Sequence, residues 1–569
     1  MIKFKNKVLL AVASIVLLIA SSCETTELDL LDSPNTLSPT QADVDLFLNS
    51  MQLGFASFLE QVTEEAAEVV RQKHMFGPTY DNAYGPTTFD AHWFIYSGFL
   101  ADARTMVPIA EQNELFTHIG IAKILEAYIM VTLVDNFANV PYSEAINPDI
   151  DNPKLDDGAS IYAAMFALID EGIVALNTPS LAAPANDLFY DGDTSKWIKF
   201  ANSLKLKMYL TTGLVDGGAA SAINALVAGG NLITDGSDDM EFPWGTNILS
   251  PDSRHPNYGP NYDNGTSAND YMSTYFMKAI VLEKATPDPR RRYYFYREVD
   301  ANTTDVNEQS CITKPRPGHY GPNDPFCNIN HPGNSNGYWG RDHGNADGIP
   351  PDDFLKTTFG VYPVGGQYDA DQAAPVEQVM GAAGAGISPV ILSSYVSFMR
   401  AAAALELGTT DNARTQLEDG IRASMTKVLS FDSKINLQEE AFPDDPDTPA
   451  NEQLFIADFV LSDMDKATAI DAYVTEVLTN YDAASSAGKL EIVIKEYYLA
   501  LFGNGIEAWN NYRRTGFPSD LQPTILASPG TFIRSFIYPS NFVDVNSVVD
   551  QKPNFTEKVF WDTNPSPLN

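Results

Sequence analysis

A chain of 569 residues with 74 acidic against 36 basic side chains carries a formal charge of −38, which excludes a nucleic-acid partner, because phosphate binding needs a positive footprint. The same balance disfavours docking of the protein surface on anionic lipid and is read as keeping an exported protein soluble. Aromatic residues make up 11% of the chain, more than a disordered segment carries, so a large core is available.

The first element is a secretion signal. Lys3, Lys5 and Lys7 precede an uninterrupted apolar run from Val8 to Ala20, followed by Ser21, Ser22 and Cys23. That run falls short of the roughly 18 residues a spanning helix needs, so residues 1–22 are expected to be cleaved as a signal peptide. A cysteine directly after small residues resembles a lipobox, with Ala20 standing where leucine is commonest, and Cys23 is expected to carry lipid. Several acyl chains on one residue make a stable anchor where a single chain does not. No second long apolar run is expected in the mature chain. Glu24, Glu27, Asp29 and Asp32 read as a tether.

From Val44 to about Lys73, Leu46, Met51, Phe55, Phe58, Leu59 and Val62 recur at helical spacing. Amphipathic stretches follow at 88–111, 114–135, 158–177 and 194–213 and resume at 387–407, 411–427, 452–480 and 484–512, which makes the fold mainly α. Between them, residues 235–370 are crowded with Gly, Pro, Asn, Asp, Tyr and Trp. Loops of such length are functional or disordered, and this one is too aromatic for a plain linker. The expected organisation is one domain, 23–569, with a helical scaffold at about 40–234 and 387–569 and an irregular insert at about 235–386. Short strands are expected near Arg292–Val299, where Tyr293, Tyr294, Phe295 and Tyr296 cluster. Cys311 and Cys327 lie in the insert, where an oxidising compartment permits a loop-stapling disulfide; two free thiols are the alternative. The breaker run Phe442–Pro449 reads as a surface loop. Stacked helical pairs around such loops can form tetratricopeptide-like units, although no clean repeat of that period is traceable.

Catalytic and cofactor signatures are missing. There is no G-x-S-x-G elbow. Gly488-Lys489 lacks the hydroxyl residue and first glycine of a phosphate loop, since Leu490 and Ala483 stand there, and Gly381–Gly386 does not fit the dinucleotide fingerprint. The histidines at 74, 92, 118, 255, 319, 331 and 343 include no i, i+4 pair, so no zinc site and no cofactor are expected. Asp444, Asp445 and Asp447 leave a structural calcium open without matching the EF-hand spacing. A glycosidase needs two carboxylates flanking a bond, and an acidic chain always offers candidates, so their presence decides nothing.

Four segments resemble the SusD/RagB family of nutrient-binding outer-membrane lipoproteins. They are Leu133–Ala145 (LVDNFANVPYSEA), in which Ala138 replaces the family's usual glycine; Asp191–Trp197 with Phe200–Leu206 (FANSLKL); Gly505–Pro518 (GIEAWNNYRRTGFP), the most specific; and Ile537–Ser540 with Val559–Asp562. The resemblance implies a surface lipoprotein that sits on a TonB-dependent, SusC-like barrel through four tetratricopeptide-like helix pairs, with an insert facing an oligosaccharide or, in some members, a peptide. The motif residues themselves read as scaffold. Trp197 and Trp509 fall on amphipathic helices where a core role is expected, Asn202 reads as a buried amide satisfying loop backbone, and Arg513 and Arg514 read as capping carbonyls or pairing with carboxylates.

A sugar site needs flat aromatics for stacking and polar side chains for paired hydrogen bonds. Trp244, Tyr258 and Tyr262, then Tyr338, Trp339, Arg341, Asp342 and His343, supply that combination in the insert, with Tyr80 and Tyr84 as further candidates by composition. The bland alternative is a minicore that holds a long insert rigid, and Trp244 leans that way. The sequence reading is a non-catalytic binding lipoprotein for oligosaccharide. A peptide-binding protein of the same architecture and a surface glycosidase are the alternatives.

Overall fold

Asp43 starts the first helix, its carboxylate accepting the Asp45 backbone N–H at 2.9 Å, and the 26 residues Val44–Val69 follow as α1. The computed structural model describes residues 43–263, 269–307, 309–327, 337–347, 354–441, 453–565 and 568. Signal peptide, Cys23, acidic tether, His331 and the 442–449 run lie outside them. The inward stripe of α1 is Leu48, Met51, Phe55, Leu59, Val62, Ala66 and Val69, spaced three or four apart. Leu46, expected in that stripe, is off its register and 60% exposed.

The expected helix over 88–111 is broken. Pro86–Trp93 forms a 3-10 helix and Tyr96–Leu100 one wide π turn before α2, Ala101–Gln112. Phe89, Trp93 and Phe99 are all buried across this break. Next come α3 (Phe116–Phe137) and α4 (Gly158–Leu176), the latter capped by Asp157, which accepts the Ala159 and Ser160 N–H groups. These two cross at glycines. A Cβ on Gly120 would stand 2.6 Å from Leu176 Cγ and one on Gly172 2.9 Å from Ile124 Cγ1, so only hydrogen lets the backbones approach. Contrary to the expected absence of long apolar segments, α3 and α4 are both long and apolar enough to cross a membrane by length and composition. Most of α3 is nonetheless enclosed by protein, as the core helix of a globular scaffold is.

Asp193 caps α5 (Thr194–Thr212), and α6 (Ala219–Gly229) follows, a helix unforeseen because its alanines give no periodic contrast. The strands β1 (Met240–Pro243), β2 (Phe295–Arg297), β3 (Thr357–Phe359) and β4 (Ile387–Ile391) form, among the described residues, two antiparallel two-stranded sheets. β2 falls where strands were expected and pairs with β3, Phe295 opposite Phe359. β1 pairs with β4, Met240 opposite Ile391, and so clasps the insert where it leaves and rejoins the scaffold. The stretch expected as helix from 387 therefore begins as strand, its Ile387, Val390 and Ile391 buried, and turns helical only at α7, Ser393–Glu406. The second helical half continues as α8 (Ala413–Leu429), α9 (Asp463–Ala483), α10 (Ser486–Ala500) and α11 (Gly505–Thr515). Gly503, at φ +96°, separates α10 from α11, and Asn504 caps the latter. Consecutive helices pack as pairs, α3 on α4 and α7 on α8 most closely.

One buried carboxylate ties three of the four sequence segments together. Asp135 accepts hydrogen bonds from Tyr162 Oη at 2.5 Å, Asn510 Nδ2 at 2.8 Å, Trp561 Nε1 at 2.9 Å and Lys207 Nζ at 3.3 Å. Arg513 donates to the Asp135 and Arg534 carbonyls and lies 3.6 Å over the Trp509 ring. Three of the segments thus meet at one hub, and Lys207, one residue past the remaining segment, joins them there, where burial without pairing would be costly. Arg514 pairs with Glu406, and Trp197 and Trp509 are in the core, all as expected. Asn202 is only half-buried; the loop backbone is met one residue later by Ser203, whose Oγ accepts the Ile233 N–H at 3.0 Å. Ala138 bears the glycine-type conformation itself, at φ +66°.

Candidate functional site

The constellation expected to stack on a ligand is packed inside. Trp339 is 1% exposed, its backbone N–H bonded to Thr357 Oγ1 at 2.9 Å. Tyr338 is buried beneath the Arg297 guanidinium, 4.7 Å from its ring centre. Arg341 lies 4.3 Å over Tyr271 and donates to the Asp347 carbonyl. His343 touches Tyr80 Oη at 3.5 Å and is held well below the usual imidazole range by burial and then by Arg71. Tyr80 itself accepts from Arg71 at 3.0 Å. Tyr258 stacks on Tyr262 at 4.6 Å, and their hydroxyls donate to the Met380 and Phe359 carbonyls. Trp244 is half-buried with Nε1 on Ser388 Oγ, and the Tyr84 hydroxyl donates to Glu68. The physical reason is plain. The insert has only short helices and strands, so its rings fill its interior, and Tyr258, Tyr262, Tyr338 and Trp339, with Tyr80 beside them, are buried. Cys311 and Cys327 are joined as a disulfide and, with Tyr320 and Phe326, form a separate small cluster.

Open aromatic surface lies elsewhere, where the turn ahead of α2 meets two loops. Trp93, Phe94 and Tyr96 form one wall, Pro141 and Ile146 of the loop after α3 a second, and Phe542 the third, around a cleft of about 320 Å³. Phe94 is 60% exposed, an unusual state for a phenylalanine beside a cavity. Trp93 fixes the floor, its ring 4.6 Å from Phe542 and 5.2 Å from Tyr96. Its Nε1 is a buried donor without a partner among the described residues. The Tyr96 hydroxyl donates to the Pro141 carbonyl at 2.8 Å, which ties the π turn to the motif loop. Asp90 clamps the third wall, accepting from Ser540 Oγ and from the Asn541 backbone N–H.

A second, polar cleft of about 450 Å³ adjoins the first between α2, α3 and α4, and Ala145 lines both. Arg104 reaches across it to Glu126 in a two-pronged pair at 2.7 and 2.6 Å. Burial, and behind it the Glu126 charge, holds the neighbouring Tyr142 phenol above its usual range. Sequence reasoning missed both clefts. The signal available was the run Trp93-Phe-Ile-Tyr96 facing a Pro- and Asn-rich loop, but aromatics ahead of a helix read as core.

A third cavity is lined by acidic residues. Glu60 and Glu64 of α1 line it with Lys73 and His255, yet its volume is about 20 Å³, room for one water. Those carboxylates cannot flank a glycosidic bond. Among the described residues no group of three or more His, Cys, Asp or Glu side chains is set to hold a metal ion.

The comparisons place this scaffold of paired helices with a clasped insert in a family. Residues 34–335 match the family described as starch-binding and associating with the outer membrane, and residues 387–554 match the SusD and RagB outer-membrane lipoproteins. The chain belongs to the SusD-like family, whose members are nutrient- and carbohydrate-binding outer-membrane proteins, generally non-catalytic. No curated protein matches it. Its fold is similar to that of a SusD homologue from Bacteroides fragilis, at 16% identity, 92% of this chain and 99% of that one, TM-score 0.62. A SusD/RagB family protein from Bacteroides thetaiotaomicron is 18% identical over 92% of this chain and all of the other, TM-score 0.61. A chitin-binding protein is 20% identical over the same shares, TM-score 0.59.

Proposed function

We propose that this protein is a lipid-anchored, non-catalytic lipoprotein of the outer-membrane surface that captures an oligosaccharide in the Phe94 cleft and passes it to a TonB-dependent, SusC-like barrel. The observation that carries the binding part is the exposed Phe94 ring above a floor of Trp93, Tyr96 and Phe542. Sugar rings present apolar C–H faces to such a surface and hydroxyls to its rim. Membership of a starch-binding family and likeness to a chitin-binding protein support carbohydrate as the ligand class. Delivery to a barrel is the role the family implies, and anchoring at Cys23 rests on the leader sequence.

The test is isothermal titration of wild type and Phe94→Ala with glycans selected on an array. Phe94 is exposed, so its removal leaves the core intact, and the lost stacking contact costs about 1.4 kcal/mol, a tenfold weaker affinity. Unchanged affinity in the folded variant would remove the cleft from the reading. Fatty-acid labelling that persists in Cys23→Ser would remove the anchor.

A further inference from the structure

The Arg104 cleft is next to the aromatic one, and its chemistry differs in a way that suits the other half of a sugar. Ala145 is the small residue at their junction, half-buried, with Tyr142 and Ser143 leading from one cleft into the other along the same loop. Each cavity alone is at the low end of the size range for ligand sites, whereas together they reach its middle.

Arg104 is 41% exposed and Glu126 only 5%, so the pair presents its cationic side outward. The two-pronged contact occupies one N–H on each terminal nitrogen, Tyr142 is a further hydrogen-bond neighbour of the guanidinium, and the N–H groups left over on its exposed side are donors. The Tyr142 hydroxyl reaches Glu126 only at 3.4 Å. Lys123, on the opposite side, is neutralised by Glu171 at 2.6 Å. Because Glu126 balances the Arg104 charge, the pair gives an anionic ligand no net positive charge to bind. A neutral hydroxyl needs no such charge. Asp90 and Asp544 stand on the segments around the aromatic cleft and add negative charge there, while Glu144 is paired with Lys154 at 3.2 Å.

We infer that the two clefts form one groove for a neutral oligosaccharide, with one ring stacked at Phe94 and the hydroxyl edge of the following units on the Arg104–Glu126 pair. This rests on the reading of the Phe94 cleft. It adds a length requirement that stacking alone does not impose, because a disaccharide fills the first cleft and only a longer chain crosses Ala145.

The experiment titrates wild type, Arg104→Lys, Ala145→Phe and Phe94→Ala with the disaccharide and hexasaccharide of α1,4-linked glucose and of β1,4-linked N-acetylglucosamine. Wild type is expected to bind the longer oligomer of one series at least about tenfold more tightly than the shorter. Arg104→Lys keeps the charge that Glu126 needs but loses the fork, and Ala145→Phe blocks the junction without touching either cleft's polar groups. Both should bring the ratio toward one by weakening the longer oligomer. A length-independent wild type, or a ratio that survives in Ala145→Phe, overturns the second subsite while leaving the first intact if Phe94→Ala still weakens every oligomer. If Phe94→Ala changes nothing, or no oligomer of either series binds, the carbohydrate reading of the cleft falls and this inference falls with it.

Discussion

Glu60 gives the clearest way to test the energetics of the α1–insert contact. Its carboxyl is one-tenth exposed, accepts from Ser388 Oγ at 2.5 Å and stands 3.5 Å from His255 Nε2. Burial is the main reason it titrates at about 7 instead of 4.5; the Ser388 hydrogen bond offsets part of that, the Glu64 charge adds to it and Lys73 opposes it. His255, brought down to about 3 by burial and then by Lys73, is neutral over the same range and cannot pair with the charge. Between pH 4.5 and about 7 the folded chain therefore holds a proton that the unfolded chain has released, and stability falls as pH rises through that window. Glu60→Gln keeps the size and an acceptor for Ser388 and removes the ionisation. At about pH 8 the variant should be more stable by up to about 3 kcal/mol, and near pH 4, where both side chains are neutral, by close to nothing. Urea unfolding at the two pH values reads the difference directly. A variant less stable than wild type at the higher pH, or a difference that does not change with pH, would refute the reasoning.

Other positions yield equally specific expectations. Gly120→Ala should cost about 1–3 kcal/mol, seen as a lowered Tm, because its Cβ enters the Leu176 side chain at the α3–α4 crossing. Asp135→Ala strips Lys207, Asn510 and Trp561 of a shared acceptor and should destabilise by about 3 kcal/mol or more, so that soluble yield collapses while Asp135→Asn retains part of it. Reduction, or Cys311→Ser with Cys327→Ser, opens a loop of sequence separation 16, worth about 3 kcal/mol by closure entropy. The expected readout is faster proteolytic cutting between 309 and 327 with the global transition unmoved, since this cluster is separate from the main core.

Helices were legible where a stripe of large apolar residues had a capping residue in front of it, as at Asp157 and Asp193. They were misread where tertiary contacts decided. Ile387–Ile391 follows helical spacing well enough, but β1 offers it a pairing edge, and five buried residues in a row satisfy a strand between two layers better than one face of a helix. Residues 484–512 read as one helix until Gly503 and Asn504 are seen to end one and cap the next.

The site was the less legible part, for a reason that follows from the hub. The residues that make the family recognisable, Asp135, Arg513, Trp509 and Trp561, are those whose burial fixes them to one another. These hub residues hold the helices in place and line none of the clefts described, unlike Pro141, Tyr142 and Ala145 of the same first motif, so they carry no information about what is bound. The aromatic run at Tyr338 and Trp339 drew attention because it combines rings with Arg341 and His343, but a long insert needs that same combination to pack itself and satisfy its polar groups. Composition cannot separate the two uses. Exposure can, and Phe94 is distinguished from Trp339 by that alone: the same ring chemistry, in one case closed over by β3 and its loop, in the other left open beside Ile146 where the motif loop turns away. On the proposed function, ligand choice is therefore free to change at the exposed Phe94 without disturbing the hub contacts that keep the fold.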